Sequence, residues 1–141
     1  MKSLTLPNGK ELYYLDKITA LDIYQEIFEE NDYFRHGLVL NDGDIIIDAG
    51  ANIGLFTMFV CSQAKNLQIY CFEPLKPIYD VLQKNLENLE IQATQQIKAE
   101  LMGLSDKIEV VEMQYYPKVS ADSTAIPFDE NRKIQQYVKS K

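Results

Sequence analysis

Apolar residues form two short unbroken runs that lie on either side of a glycine-containing segment. Residues 45–47 are three consecutive isoleucines, and residues 69–72 read Ile-Tyr-Cys-Phe. Runs of this length and composition are typical of strands in a parallel sheet that is covered on both faces. Between them, the apolar residues 53–60 favour the start of a helix. The order of strand, turn, helix and strand predicts a Rossmann-like, doubly wound α/β fold.

The remaining segments alternate between strand and helix patterns. Pro7, Asn8 and Gly9 separate two apolar stretches and predict the turn of a hairpin or loose β arm. Residues 19–31 place apolar side chains on one helical face and predict a helix with Thr19 as N-cap. The sequence also predicts a helix at 76–89, a third strand at 97–102, a fourth strand with a bulge at 108–116 and a polar helix or tail at 129–141.

Composition narrows the class of protein. The formal net charge of −7 and the pI near 4.7 argue against nucleic acid and against an anionic membrane surface as partners. A single histidine gives no zinc constellation, so no metal is expected. Cys61 and Cys71 are interpreted as small buried hydrophobes rather than as a disulfide. Without a signal-peptide pattern at the N-terminus, a cytoplasmic location is the default expectation.

Chemistry is expected at the segment that follows the first apolar run. Gly50 and Gly54 permit a sharp turn and a close approach of a ligand to the backbone, and a helix then begins. Glu73 ends the next strand, where its carboxylate could accept hydrogen bonds from both hydroxyls of a ribose. Ala51 and Asn52 stand where the pyrophosphate turn of a dinucleotide site favours glycine. The pattern therefore predicts a nucleoside site of another kind.

The segment Asp-Ala-Gly-Ala-Asn-Ile-Gly-Leu-Phe-Thr at residues 48–57 resembles motif I of the class I S-adenosylmethionine (SAM) methyltransferases. Together with Phe-Glu-Pro at 72–74, it is more closely similar to the FkbM-type methyltransferases. Gly-Leu-Ser-Asp at 103–106 and Tyr-Tyr-Pro at 115–117 also resemble that family. Each piece is short, but they occur in order and at suitable spacing over roughly residues 20 to 127.

This resemblance implies a seven-stranded sheet with helices on both faces, with SAM as the cofactor. It also implies a set of cofactor-binding residues in the matching positions, namely Asp48, Gly50, Ala51, Asn52, Gly54, Phe56, Thr57, Glu73 and Pro74, with Leu104 and Ser105 beside the adenine.

Two further candidates lie before the first long strand. The hydroxyl of Tyr33 could hydrogen-bond the carboxylate or amine of the methionine part of the cofactor, and His36 could act as a general base. A surface or capping role is the alternative interpretation for His36.

About four core strands can be placed, and no segment after Tyr116 has the pattern of another buried strand. We therefore divide the chain into an N-terminal β arm or linker at 1–18, a partial SAM-binding core at 19–128 and a polar C-terminal helix or tail at 129–141. A truncated sheet leaves an open edge and an uncovered face. Expected partners are a second copy, a missing C-terminal half or a larger synthase.

Three functional hypotheses follow. The first is a SAM-dependent methyltransferase domain that O-methylates a small-molecule or carrier-bound acceptor; the acceptor itself and the choice among oxygen, nitrogen and carbon stay open. The second is a non-catalytic, truncated methyltransferase-like domain that serves as a structural or docking module. The third is a fragment of an NAD-binding oxidoreductase, which Ala51 and Asn52 disfavour.

Overall fold

The chain begins with an antiparallel hairpin of β1 (Lys2–Thr5) and β2 (Glu11–Tyr14). The computed structural model describes residues 1–89, 95–113 and 115–116. Gly9 adopts a φ of +82° in the connecting turn, and its N–H donates to the carbonyl of Leu6 at 2.9 Å. The left-handed backbone explains why glycine stands there. The predicted β hairpin is confirmed.

The helix predicted at 19–31 forms in two parts. Helix α1 (Lys17–Tyr24) is followed directly by a π-helical turn, Gln25–Glu29. The N-cap is Asp16, whose carboxylate accepts from the backbone N–H of Thr19 at 2.8 Å. The prediction of Thr19 as N-cap is wrong because the aspartate three residues earlier provides the acceptor for that N–H.

Three parallel strands form the main sheet, in the order β3 (Ile45–Ala49), β4 (Gln68–Phe72) and β5 (Gln96–Glu100). Helices α2 (Leu55–Gln63) and α3 (Lys76–Asn88) follow β3 and β4 in the chain. Parallel strands with helical crossovers confirm the predicted α/β fold class.

The described residues cover one face of this sheet and leave the other exposed. Ile69 and Cys71 of β4 are 1% and 0% exposed, and they belong to the main apolar core. On the opposite face, Ile45 and Ile47 of β3 are 66% and 63% exposed, and Tyr70 of β4 is 38% exposed. Because alternate residues of a strand point to opposite faces, the three isoleucines cannot share one environment. The prediction that this strand is buried on both faces is wrong for the described chain.

Helix α3 ends at Asn88, one residue before the end of the helix predicted at 76–89. Its apolar stripe is buried at Ile78, Val81 and Leu82, and Asn85 joins this stripe with 1% exposure.

The predicted strand at 108–116 does not form in its described residues, 108–113 and 115–116, where Ile108 and Val110 are fully exposed. The predicted helix or tail at 129–141 and the polar loop at 120–124 lie outside the described residues. Among the described helices, none is long and apolar enough to cross a membrane.

Candidate functional site

The loop between β3 and α2 folds back over the end of β4. The backbone N–H groups of Gly50 and Ala51 both donate to the carbonyl of Phe72, at 2.8 and 3.0 Å. Gly50, Asn52 and Gly54 adopt positive φ angles of +77°, +50° and +93°. A Cβ atom on Gly54 would lie 2.9 Å from Cδ1 of Leu82, so α3 packs directly against this loop. The two glycines of the motif therefore satisfy backbone and packing requirements of the turn.

Glu73 connects this loop to the segment between β4 and α3. One carboxylate oxygen accepts from the N–H of Asn52 at 3.1 Å, and the other accepts from the N–H of Leu75 at 2.9 Å. The residue is 5% exposed. Burial raises the pKa of Glu73, whereas the two backbone donors lower it and the nearby charge of Asp48 raises it. Glu73, which the sequence predicts as a ribose-binding residue, therefore stabilises the loop.

Asp48 lies at the buried side of the loop. Its carboxylate accepts from the hydroxyl of Thr57 at 2.7 Å, and the same hydroxyl lies 3.1 Å from the sulfur of Cys71. Burial raises the pKa of Asp48, and the hydrogen bond from Thr57 offsets part of that effect. Burial also raises the pKa of the Cys71 thiol to about 11, so this cysteine is protonated at neutral pH. Thr57 thus links helix α2 to two strands of the sheet.

A cavity of about 560 Å³ opens beside the loop. This volume is in the range of sites for small molecules and cofactors. Three groups of residues line it: the end of β3 with the loop, two aromatic residues, and one side of the α1 and π-helical segment. The lining residues are Ile47, Asp48, Ala49, Gly50, Ala51, Asn52, Ile53, Leu55, Phe56, Tyr33, Ile23, Glu26 and Ile27.

The aromatic part of the wall is a pair of rings. The centroids of Tyr33 and Phe56 are 4.8 Å apart, and their planes are inclined at 43°. Tyr33 is 55% exposed, which leaves its ring accessible from the cavity side. Glu26 contributes an exposed carboxylate, whereas the carboxylate of Asp48 is buried against Thr57. No lysine or arginine occurs among the described residues that line the cavity. The site is therefore an acidic and aromatic pocket suited to a cationic ligand.

The predicted site residues fall into four sets. Asp48, Gly50, Ala51, Asn52, Phe56 and Tyr33 all line the cavity. Gly54, Thr57 and Glu73 are buried behind the loop and shape it. Pro74 packs near Gly103, where a Cβ on that glycine would lie 3.6 Å from Cβ of Pro74. His36, Leu104 and Ser105 are exposed and are not among the residues that line the cavity.

Sequence reasoning predicted a helix at 19–31 but did not identify which of its residues line the cavity. Ile23, Glu26 and Ile27 line it from α1 and the π-helical turn. A π-helical turn changes the register of side chains relative to the 3.6-residue period, and such turns often occur at functional sites. The prediction for residues 19–31 assumed one regular helical period, and no residue in that pattern marks the change of register.

The raised pKa of Asp48 leads to a prediction about stability. An acid with a raised pKa in the folded state destabilises the fold above that pKa, and the penalty disappears as the pH falls toward the unfolded value. We expect Asp48→Asn to raise the Tm at pH 8 by about 2–4 °C, the shift that about 1 kcal/mol produces in a domain of this size. The gain should shrink as the pH is lowered to 4, as measured by thermal melts.

Asp44→Asn is the matched control at the other end of β3, because the Asp44 carboxylate is only partly buried and accepts from the N–H of Asn41. A difference in Tm between Asp48→Asn and the wild type that does not change with pH would contradict the conclusion that burial of the ionised Asp48 carboxylate destabilises the fold.

The chain is similar in sequence to several methyltransferases. It is 35% identical over 129 residues to methyltransferase sdnD of Sordaria araneosa, a match that covers 92% of this chain and 48% of that protein. It is 30% identical over 133 residues to 31-O-demethyl-FK506 methyltransferase FkbM of Streptomyces tacrolimicus, covering 94% of this chain and 50% of that protein. No established family profile matches the chain.

Two further matches differ in kind. AMB antimetabolite synthetase AmbE of Pseudomonas aeruginosa is 36% identical over 118 residues, which are 84% of this chain and 5% of the synthetase. A solved SAM-dependent methyltransferase from Leishmania major superposes with a TM-score of 0.41 at 16% identity, over 68% of this chain and 36% of that one. The chain spans about half the length of the curated methyltransferases that it matches, sdnD and FkbM.

Proposed function

We propose that this chain is the cofactor-binding part of a SAM-dependent methyltransferase. The premise is that its sequence is similar to FkbM-type methyltransferases over nearly all of its length. The motifs at residues 48–57 and 72–74 indicate the same family. SAM is the expected cofactor. The observation that carries the proposal is the cavity of about 560 Å³, whose wall is the loop that bears the methyltransferase motif.

The charge of the cavity supports SAM over a dinucleotide. SAM carries a sulfonium and an ammonium group, whereas NAD carries a pyrophosphate. Glu26 offers a carboxylate to a cation, and the paired rings of Tyr33 and Phe56 offer π faces. A pyrophosphate would instead need basic side chains or a glycine-rich turn, and the described lining residues include neither lysine nor arginine.

The residues present fit the parts of the cofactor by their chemistry. Tyr33 and the loop would hold the methionine part, and Glu73 would receive the ribose hydroxyls with acceptor capacity that its two backbone bonds leave free. Leu104 and Ser105 do not line the cavity, and their place by the adenine is what the resemblance implies. When bound, SAM supplies an electrophilic methyl group. The chain's contribution is to orient that group and to exclude water from it.

We propose a hydroxyl of a small molecule or carrier-bound intermediate as the acceptor. The FkbM relative is a 31-O-demethyl-FK506 methyltransferase, and the AmbE relative is a synthetase that contains a similar segment. Glu26 is the exposed carboxylate that lines the cavity, whereas His36 does not line it. His36 as general base stays a prediction that needs a movement of residues 31–37 toward the cavity.

The uncovered sheet face bears on the complete protein. Ile45 and Ile47 are exposed at the edge strand, and Ile47 also lines the cavity. Because the matched methyltransferases are about twice as long, we propose that this face is covered by the polypeptide that makes up their other half. That polypeptide would also complete the cavity wall. A non-catalytic docking domain is not favoured, since sdnD and FkbM, which match 92% and 94% of this chain, are methyltransferases.

A dye-binding experiment tests the uncovered face. We expect the double variant Ile45→Lys/Ile47→Lys to lower binding of the hydrophobic dye ANS several-fold relative to the wild-type chain, because it removes the exposed apolar patch. Ile18→Lys on α1 is the control, since Ile18 is 72% exposed but lies on a different element. Concentration-dependent dimerisation of the wild type, lost in the double variant, would identify a second copy as the occupant and contradict the proposal.

Photochemical cross-linking tests the proposed function itself. Irradiation of the chain with methyl-labelled SAM should label peptides that contain Tyr33 or Phe56, and S-adenosylhomocysteine should compete. Labelling that NADH suppresses and S-adenosylhomocysteine does not would contradict the assignment.

A further inference from the structure

Asn85 is a buried amide on α3 whose polar atoms all have partners. It is 1% exposed. Its Oδ1 accepts from the N–H of Tyr13 at 2.7 Å, and its Nδ2 donates to the carbonyl of Tyr13 at 3.0 Å and to the carbonyl of Ile53 at 2.7 Å. A buried side chain with three short hydrogen bonds to backbone groups holds those groups in a fixed orientation. Asn85 therefore connects two segments that are distant in the chain.

The first segment is the N-terminal hairpin. The amide of Asn85 pairs with both backbone groups of Tyr13, as a neighbouring strand would. Asn88, one turn further along α3, donates to the carboxylate of Glu11 at 3.2 Å. The ammonium of Lys84 lies 5.9 Å from the centroid of the Tyr13 ring. Helix α3 thus holds β2 along a full helical turn.

The second segment is the loop of the candidate site. Ile53 stands between Asn52 and Gly54, which both have left-handed backbone angles. Backbone bonds to the carbonyl of Phe72 fix the start of this loop, and side-chain hydrogen bonds from Glu73 and Asn85 hold the N–H of Asn52 and the carbonyl of Ile53. Leu82, one turn before Asn85, packs against Gly54. A single turn of α3 therefore supports the loop by packing and by a hydrogen bond.

We propose that Asn85 is a positioning residue for the ligand-binding loop. Through Asn85, the N-terminal hairpin also supports this loop, although the hairpin does not line the cavity. The side chain of Asn85 bonds both the hairpin and the loop, so a displacement of either segment shifts the hydrogen bonds that hold the other. An effect of Asn85 on cofactor affinity rests on the proposed function, whereas its effect on the backbone of the loop does not.

Gln95 provides a matched control. It is also a buried amide, 8% exposed, and it bridges two backbone groups by accepting from the N–H of Leu67 and donating to the carbonyl of Ala64, both at 2.7 Å. These groups lie next to the start of β4, at the opposite end of the sheet from the loop. Asn85→Ala and Gln95→Ala therefore remove similar interactions at different places.

The first measurement is hydrogen exchange of the backbone amides at residues 50–55 in both variants, under conditions where both are folded. We expect Asn85→Ala to speed exchange at these amides at least tenfold, and Gln95→Ala to leave it within twofold of the wild type after correction for global stability. Equal loop exchange in the two variants would overturn the proposal. If Asn85→Ala does not fold, Asn85→Ser, which keeps a small polar group, is measured in its place.

The second measurement is SAM affinity by calorimetry in the same variants. We expect Asn85→Ala to weaken binding about tenfold or more and Gln95→Ala to leave it unchanged. If the wild type binds no SAM, the proposed function fails, and the hydrogen-exchange comparison still decides the role of Asn85. Unchanged affinity in Asn85→Ala with a faster-exchanging loop would overturn the link to ligand binding.

Discussion

Replacing Gly50 with arginine is expected to lower the affinity for SAM at least 100-fold. Gly50 lines the cavity, is exposed and has a φ of +77°. A Cβ built there meets nothing within 4 Å, so an arginine side chain has room to extend into the cavity. It would occupy the ligand's space and add a positive charge where a cation is expected to bind. Calorimetric titration with SAM measures the effect.

Gly43→Arg is the matched control for this prediction. Gly43 has a φ of +87°, and a Cβ built there also meets nothing within 4 Å. It lies in the turn before β3, at the end of that strand opposite the loop. The two substitutions carry the same charge and a similar backbone penalty of about 1–2 kcal/mol. Equal SAM affinities in the two variants would contradict the assignment of the cavity.

Replacing Glu73 with glutamine is expected to weaken binding of S-adenosylhomocysteine by about 30- to 100-fold. The carboxylate accepts from two backbone N–H groups, and an amide nitrogen in place of one oxygen would face a donor. The loop bond to Asn52 or the bond to Leu75 must then be lost. If Glu73 also receives the ribose hydroxyls, the substitution removes that interaction as well.

A ligand lacking the ribose hydroxyls separates these two effects. Wild-type protein should bind S-adenosylhomocysteine at least tenfold more tightly than its 2′,3′-dideoxy analogue, and Glu73→Gln should reduce this preference to within about threefold. Glu100→Gln is the control, because Glu100 ends the neighbouring strand but is more exposed and pairs with Lys98. A preference that is equal in wild type and Glu73→Gln would mean that Glu73 only stabilises the loop.

The order of elements could be predicted from local patterns. The isoleucine run, the glycine turn and the apolar stripe of α3 each specify an element by composition and period. The burial of β3 could not be predicted, because a run of three isoleucines has no alternation to mark which face is covered. The N-cap Asp16 was missed because Thr19 is also a favourable cap residue, and only the backbone conformation distinguishes the two.

The loop side of the candidate site could be predicted because its chemistry is local. Gly50, Gly54 and Asn52 are close in sequence, and their positive φ angles explain the residue types. Glu26 and Asn85 could not be found in this way. Glu26 reaches the cavity through a π-helical register, and Asn85 is a polar residue whose partners lie 72 and 32 positions away. Contacts over such distances leave no periodic signal in the sequence.

Calorimetric titration of this 141-residue chain with SAM and S-adenosylhomocysteine, with NADH as the comparison ligand, tests the central claim most directly. The account predicts micromolar binding of both SAM and S-adenosylhomocysteine, with NADH at least 100-fold weaker. Binding of NADH with no binding of SAM, or a cooperatively folded chain that binds neither sulfur compound, would contradict it.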